Sequence, residues 1–129
     1  MVRYLTIEQI LLIHSMVIDE TGGSHGILNQ HALLSVIAAP AQEVFGQELY
    51  PTIFLKASVY ARDIVTNHPF MDGNKRTGMV SASVFLENNG HVIDSKEGEI
   101  EKMALKIIVE KLKLEDIADW FIKHSKKLK

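Results

Sequence analysis

Two segments of this sequence, roughly residues 53–67 and 74–89, place apolar residues around most of a helical circumference. The first contributes Ile53, Phe54, Ala57, Val59, Tyr60, Ala61, Ile64 and Val65, the second Met79, Val80, Ala82, Val84, Phe85 and Leu86. A helix with a single apolar stripe lies on a surface, whereas one that is apolar nearly all round has to be covered on every side. These two helices must therefore form the centre of the molecule. The polar stretch His68-Pro69-Phe70-Met71-Asp72-Gly73-Asn74-Lys75-Arg76-Thr77-Gly78 joins them. Pro69 disfavours helix at the preceding residue, so the first segment ends near Asn67, and Asn89-Gly90 stops the second. An imidazole, a carboxylate, a glycine turn, a carboxamide and two cations are thus mounted on the core.

The remaining chain reads as the covering layer. Thr6 with Gln9 makes a capping box, and apolar spacing predicts a helix from Ile7 to Thr21 that Gly22-Gly23 ends. His14 falls at the edge of its apolar stripe, where a hydrogen-bonded core histidine is expected rather than a ligand. Gly22-Gly23-Ser24-His25-Gly26 fits no phosphate-loop signature and reads as a plain connector with no evident partner for Ser24 or His25. Asn29 caps a short helix from Gln30 to about Ala39, with Leu33, Leu34, Val36 and Ile37 inward, and Pro40 ends it. Phe45 to Pro51 is an ordered loop or small hairpin whose aromatic residues need a place to pack. Pro51 suits the first turn of the following central helix. Beyond Gly90, His91-Val92-Ile93 is a short extended link. Asp94-Ser95 caps a helix from about Lys96 to Leu112, with Ile100, Met103, Ala104 and Ile107 inward. A last helix runs from Leu114 to about Ser125, and Lys123, Lys126, Lys127 and Lys129 suit its C-terminus. The expected fold is all-α: one domain, residues 1–129, a compact bundle of about six helices with a small β-hairpin flap as an option.

Composition narrows the function. A net charge of −2 gives no broad footprint for nucleic acid or anionic membrane. The absence of cysteine excludes disulfides, thiolate metal sites and a Cys nucleophile. No apolar run is long enough to span a bilayer and no secretory signal is visible, so a soluble, cytoplasmic protein is the expectation.

The joining stretch has a definite chemistry. Gly73 permits a sharp turn, and the helix behind it offers unpaired N–H groups and the positive end of its dipole. Together these make an anion site suited to phosphate. Lys75 and Arg76 add charge, while Asn74 either caps the helix or orients the loop. Asp72 would repel phosphate on its own but makes sense with Mg²⁺ between them. His68, four residues before Asp72, supplies an imidazole, the side chain that most often serves as a general base. Each residue alone is ordinary turn material; the ungapped set points to transfer of part of a nucleotide to a hydroxyl.

His68-Pro69-Phe70-Met71-Asp72-Gly73-Asn74-Lys75-Arg76 resembles the signature H-x-F-x-[DE]-x-N-[GK]-R of the Fic/Doc superfamily. Lys75 matches the death-on-curing (Doc) branch of toxins from toxin–antitoxin modules. Leu28 to Pro40, Phe45-Gly46 with Leu49-Tyr50-Pro51, and the C-terminal helical pair are similar to that branch in order and spacing. The resemblance implies that His68 is the general base, that Asp72 holds Mg²⁺, and that Gly73, Asn74, Lys75 and Arg76 form the phosphate site for ATP. Leu49 and Tyr50 would belong to a flap that positions the target. The Fic branch, which usually transfers AMP, has Gly in place of Lys75 and a second Arg in place of Met79. The Doc branch is understood to deliver the γ-phosphate, to a threonine of elongation factor Tu, and to be neutralised by an antitoxin whose disordered tail folds on it. The expected function is therefore a phosphotransferase toxin that blocks translation. An AMP transferase and a non-catalytic module binding a nucleotide or an antitoxin are the alternatives. A metal-dependent hydrolase is disfavoured, because His25, His31 and His91 lack ligand spacing.

Overall fold

A computed structural model describes residues 1–128. Its elements in chain order are α1 (Ile7–Thr21), α2 (Gln30–Ala38), a 3₁₀ turn (Ala39–Ala41), β1 (Glu43–Val44), β2 (Gln47–Glu48), α3 (Ile53–Asn67), α4 (Asn74–Asn88), β3 (His91–Ile93), α5 (Glu99–Val109), α6 (Leu114–Lys123) and β4 (Ser125–Lys127). The fold is the expected all-α bundle carrying a small hairpin. Among the described residues no helix is long and apolar enough to cross a membrane.

α3 and α4 are the antiparallel centre. α3 touches α2, α4, α5 and α6, while α4 touches α1, α3, α5 and β3. Tyr60, Ile64, Phe70, Met79, Phe85, Leu86, Ile117 and Phe121 are fully buried among them. Gly78 lets the pair close, since a Cβ there would lie 2.8 Å from Val65 Cγ2 and 3.0 Å from the Ala61 carbonyl oxygen. Tyr60 keeps its hydroxyl satisfied by accepting the Leu5 N–H at 3.0 Å. Burial pushes that hydroxyl up to about 12. The Thr6–Gln9 capping box forms as expected.

Several expectations give way. Helix α3 begins at Ile53 behind a Thr52 cap, so Pro51 precedes the helix. Leu34 is exposed, and Phe45, at the hairpin tip with φ 51°, is fully exposed instead of packed. α5 starts at Glu99 behind Gly98 (φ 87°), because Asp94 is drawn instead to Lys126 at 2.8 Å. α6 ends at Lys123; Ser125, Lys126 and Lys127 pair antiparallel with Ile93, Val92 and His91. Lys126 and Lys127 thus sit in a strand, and Lys129 lies outside the described residues. Lys56, which the apolar pattern of the central helix does not include, is buried with its charge. Its Nζ donates to the carbonyls of Tyr50 (2.6 Å) and Pro40 (3.3 Å) and to Glu48 Oε1 (2.8 Å).

Candidate active site

α3 ends on His68, whose left-handed backbone (φ 49°, ψ 60°) turns the chain out of the helix and leaves the imidazole exposed. A non-glycine residue there costs about 1–3 kcal/mol and persists only where its surroundings enforce it. Pro69 and Phe70 follow as buried anchors. Asn74 then clamps the loop: its Oδ1 accepts the Phe70 N–H at 3.0 Å and its Nδ2 donates to the Phe70 carbonyl at 2.9 Å. Of the two roles open to Asn74, the structure assigns loop orientation. The cap position belongs to Gly73, at φ 78°.

Among the described residues no side chain caps α4. Its first-turn N–H groups are free for an anion, and the first helical bond is Thr77 N–H to the Gly73 carbonyl at 2.9 Å. A cleft of about 360 Å³ lies over this end, lined by Thr21, His68, Met71, Asp72, Gly73, Asn74, Lys75 and Arg76. The predicted base, carboxylate, anion loop and cations therefore share one cavity. Lys75 is exposed and has no ion-pair partner among the described residues. Arg76 is bracketed by Glu20 Oε1 at 3.3 Å and Glu101 Oε1 at 3.6 Å, from α1 and α5.

The flap residues lie outside this cleft. Leu49 is exposed and donates its N–H to the Gln42 carbonyl at 3.0 Å. Tyr50 reaches Arg62, a wall of a second hollow of about 410 Å³ that also includes Thr66, His68, Ile107, Ile108, Lys111 and Leu112. His68 thus stands between two cavities.

The expectation of a plain connector over Gly22–Gly26 is wrong. Ser24 N–H donates to Asp72 Oδ2 at 2.7 Å, and His25 pairs with Asp19 at 3.0 Å. His14 is a buried, hydrogen-bonded histidine as expected, and its partner is the Asp72 carbonyl at 2.9 Å. Burial holds its imidazole below the usual range, against the pull of that hydrogen bond. No sequence pattern signals the Ser24–Asp72 or His14–Asp72 contact, because each joins residues about fifty positions apart.

A family model described as the Fic/DOC family matches residues 4–86. This chain belongs to the Fic/DOC family. The Fic/DOC match spans α1 to α4, and so holds every residue of the cleft, while α5 and α6 lie beyond it. "Toxin Doc" of Mycolicibacterium smegmatis is 33% identical over 90 residues, 70% of this chain and 67% of that protein. "Protein kinase doc" of Escherichia phage P1 is 30% identical over 96 residues, 74% of this chain and 75% of that protein.

Proposed function

We propose that this protein is the toxin of a toxin–antitoxin module and that it transfers the γ-phosphoryl group of ATP to a protein hydroxyl. The observation that carries this reading is that His68 and the uncapped start of α4 open into one cleft with Asp72. His68 takes the proton of the target hydroxyl, whose oxygen forms a bond to the γ-phosphorus as the bridging P–O bond to the β-phosphate breaks and ADP leaves. The first-turn N–H groups of α4, with Lys75 and Arg76, hold the phosphate charge in place. Positioning and electrostatics supply most of the acceleration in such transfers.

Mg²⁺ fits the residues present. Among the described residues there is no cluster of three or more His, Cys, Asp or Glu suited to a metal. Among the described residues Asp72 is the one carboxylate lining the cleft, which suits an ion that arrives with a nucleotide and takes one or two carboxylates plus phosphate oxygens. When bound, the ion supplies charge neutralisation at the phosphates.

Met79 favours phosphoryl over AMP transfer. It stands where AMP-transferring members carry a second Arg, and it is wholly buried. The name "Protein kinase doc" supports the same choice, and "Toxin Doc" supports the toxin reading. By the family resemblance the target is a threonine of elongation factor Tu. The antitoxin would lay a disordered tail on apolar surface such as Leu12 and Met16, exposed one turn apart on α1.

ATP labelled on the γ- or the α-phosphate tests the chemistry. The γ-label is expected on the target, and transfer of α-label alone would overturn the phosphoryl reading. His68→Ala is expected to lower transfer at least about 100-fold and abolish toxicity, with thermal midpoint and nucleotide affinity nearly unchanged. An equally toxic His68→Ala protein would remove the catalytic role.

A further inference from the structure

We propose that His14 and the strap Gly22–Asn29 are positioning elements that set the Asp72 carboxylate to receive a Mg²⁺–nucleotide. This inference rests on the reading of Asp72 as the metal carboxylate.

Asp72 is an exposed loop residue whose side chain would otherwise sample several rotamers. Two contacts restrict the side chain and a third fixes the backbone that carries it. His14 Nε2–H donates to its carbonyl at 2.9 Å. Ser24 N–H donates to Oδ2 at 2.7 Å, so one carboxylate oxygen is spoken for by the backbone. Gly23 lies against the side chain itself: a Cβ there, at φ 110°, would meet Asp72 Cβ at 2.9 Å and Cγ and Oδ2 at 3.2 Å.

The strap is tied to the loop along its length. Ile27 bridges Phe70 antiparallel, Leu28 and Asn29 N–H both donate to the Pro69 carbonyl (2.9 and 3.1 Å), and Met71 N–H donates to the Gly26 carbonyl at 2.9 Å. The direction of the His14 donor is fixed by packing, because its ring is buried and stacked on Phe70 with centroids 3.7 Å apart and planes 7° apart. A core histidine needs any one acceptor; this one uses the backbone of the residue facing the phosphates. Groups that orient a metal ligand commonly change metal affinity by about 10–100-fold when removed.

The test compares His14→Leu, His14→Gln and Gly23→Ala with the unmodified chain. Calorimetry follows binding of a non-hydrolysable ATP analogue as Mg²⁺ is varied, alongside thermal midpoints and amide exchange at Met71. His14→Leu is expected to need about tenfold more Mg²⁺ for half-maximal binding, with metal-free binding unchanged and faster exchange at Met71. His14→Gln, which keeps an N–H donor, is expected to recover to within about threefold of the unmodified chain. Gly23→Ala presses directly on the Asp72 side chain and is expected to reproduce the Mg²⁺ effect at a lower thermal midpoint, because alanine is strained at φ 110°. Variants that shift only the thermal midpoint, or weaken metal-free and metal-loaded binding equally, would overturn the proposal. So would an unmodified chain whose nucleotide binding ignores Mg²⁺. A chain that shows these Mg²⁺ effects yet transfers no γ-label would overturn the phosphotransfer reading and leave the strap standing.

Discussion

Thr77 and Ser81 lie one turn apart on α4, and both bury a hydroxyl that has no hydrogen-bond partner among the described residues. A buried polar group left unpaired costs on the order of 1–3 kcal/mol. Thr77→Val keeps the shape and removes the orphan. It is therefore expected to raise stability by about 1 kcal/mol, read as a higher denaturant midpoint at unchanged slope. Residues such as these separate what a sequence states from what it hides. His68, Asp72 and Lys75 announce themselves through local spacing. Whether the Thr77 hydroxyl meets a partner depends on what α4 is pressed against. Asn74 is an intermediate case, since its carboxamide suited two roles and only the Phe70 backbone chose between them.

At the level of elements, Lys56 holds the β1–β2 hairpin to the core. Burial pulls its ammonium down, but the Glu48 carboxylate and the Tyr4 hydroxyl together outweigh this and keep the charge. Two of its three oxygen partners are backbone carbonyls, of Pro40 and Tyr50, which a neutral side chain would leave unpaired. Lys56→Met preserves length and apolar volume, and is expected to cost about 2–3 kcal/mol by denaturant unfolding, with the hairpin amides of Glu43–Glu48 exchanging first. Helix identity was legible throughout because the 3.6-residue apolar period is local. Helix ends were less so. The start of α5 moved because the Asp94 side chain serves Lys126 rather than a helix N-terminus, and the end of α6 moved because Ser125–Lys127 found β3 as a pairing partner.

Across the whole molecule, the two apolar helices fix the architecture and the C-terminal strand closes it. The closure is partly electrostatic. Lys126 holds the Asp94 carboxyl below its ordinary 3.8, and the Lys96 N–H, followed by His124, holds Glu99 below its ordinary 4.5. A carboxylate depressed in the folded state stabilises above its unfolded value and loses that contribution as pH falls through the folded one. The β3–β4 contact is therefore expected to be intact above about pH 4.5 and to loosen progressively below pH 3.8. Amide exchange at Asp94 and Leu128, which donate to the His124 and Gly90 carbonyls, follows this directly. The Asp94 carboxylate is largely solvated, so added salt should weaken its pair with Lys126 as well.

The sequence by itself determined the all-α class, the central helix pair and the stretch that forms the candidate site. Each of these rests on relations within about a dozen residues: a helical period, a proline stop, a glycine turn between a carboxylate and two cations. Only the tertiary structure decided that His14 and the Gly22–Asn29 segment grip Asp72, that Glu20 and Glu101 bracket Arg76, and that a buried lysine secures the hairpin. Such contacts join positions distant in the chain, and their energies arise only once packing has excluded water and brought donor and acceptor within reach. His68–Gly78 named the site, and the fold supplied the groups that aim it.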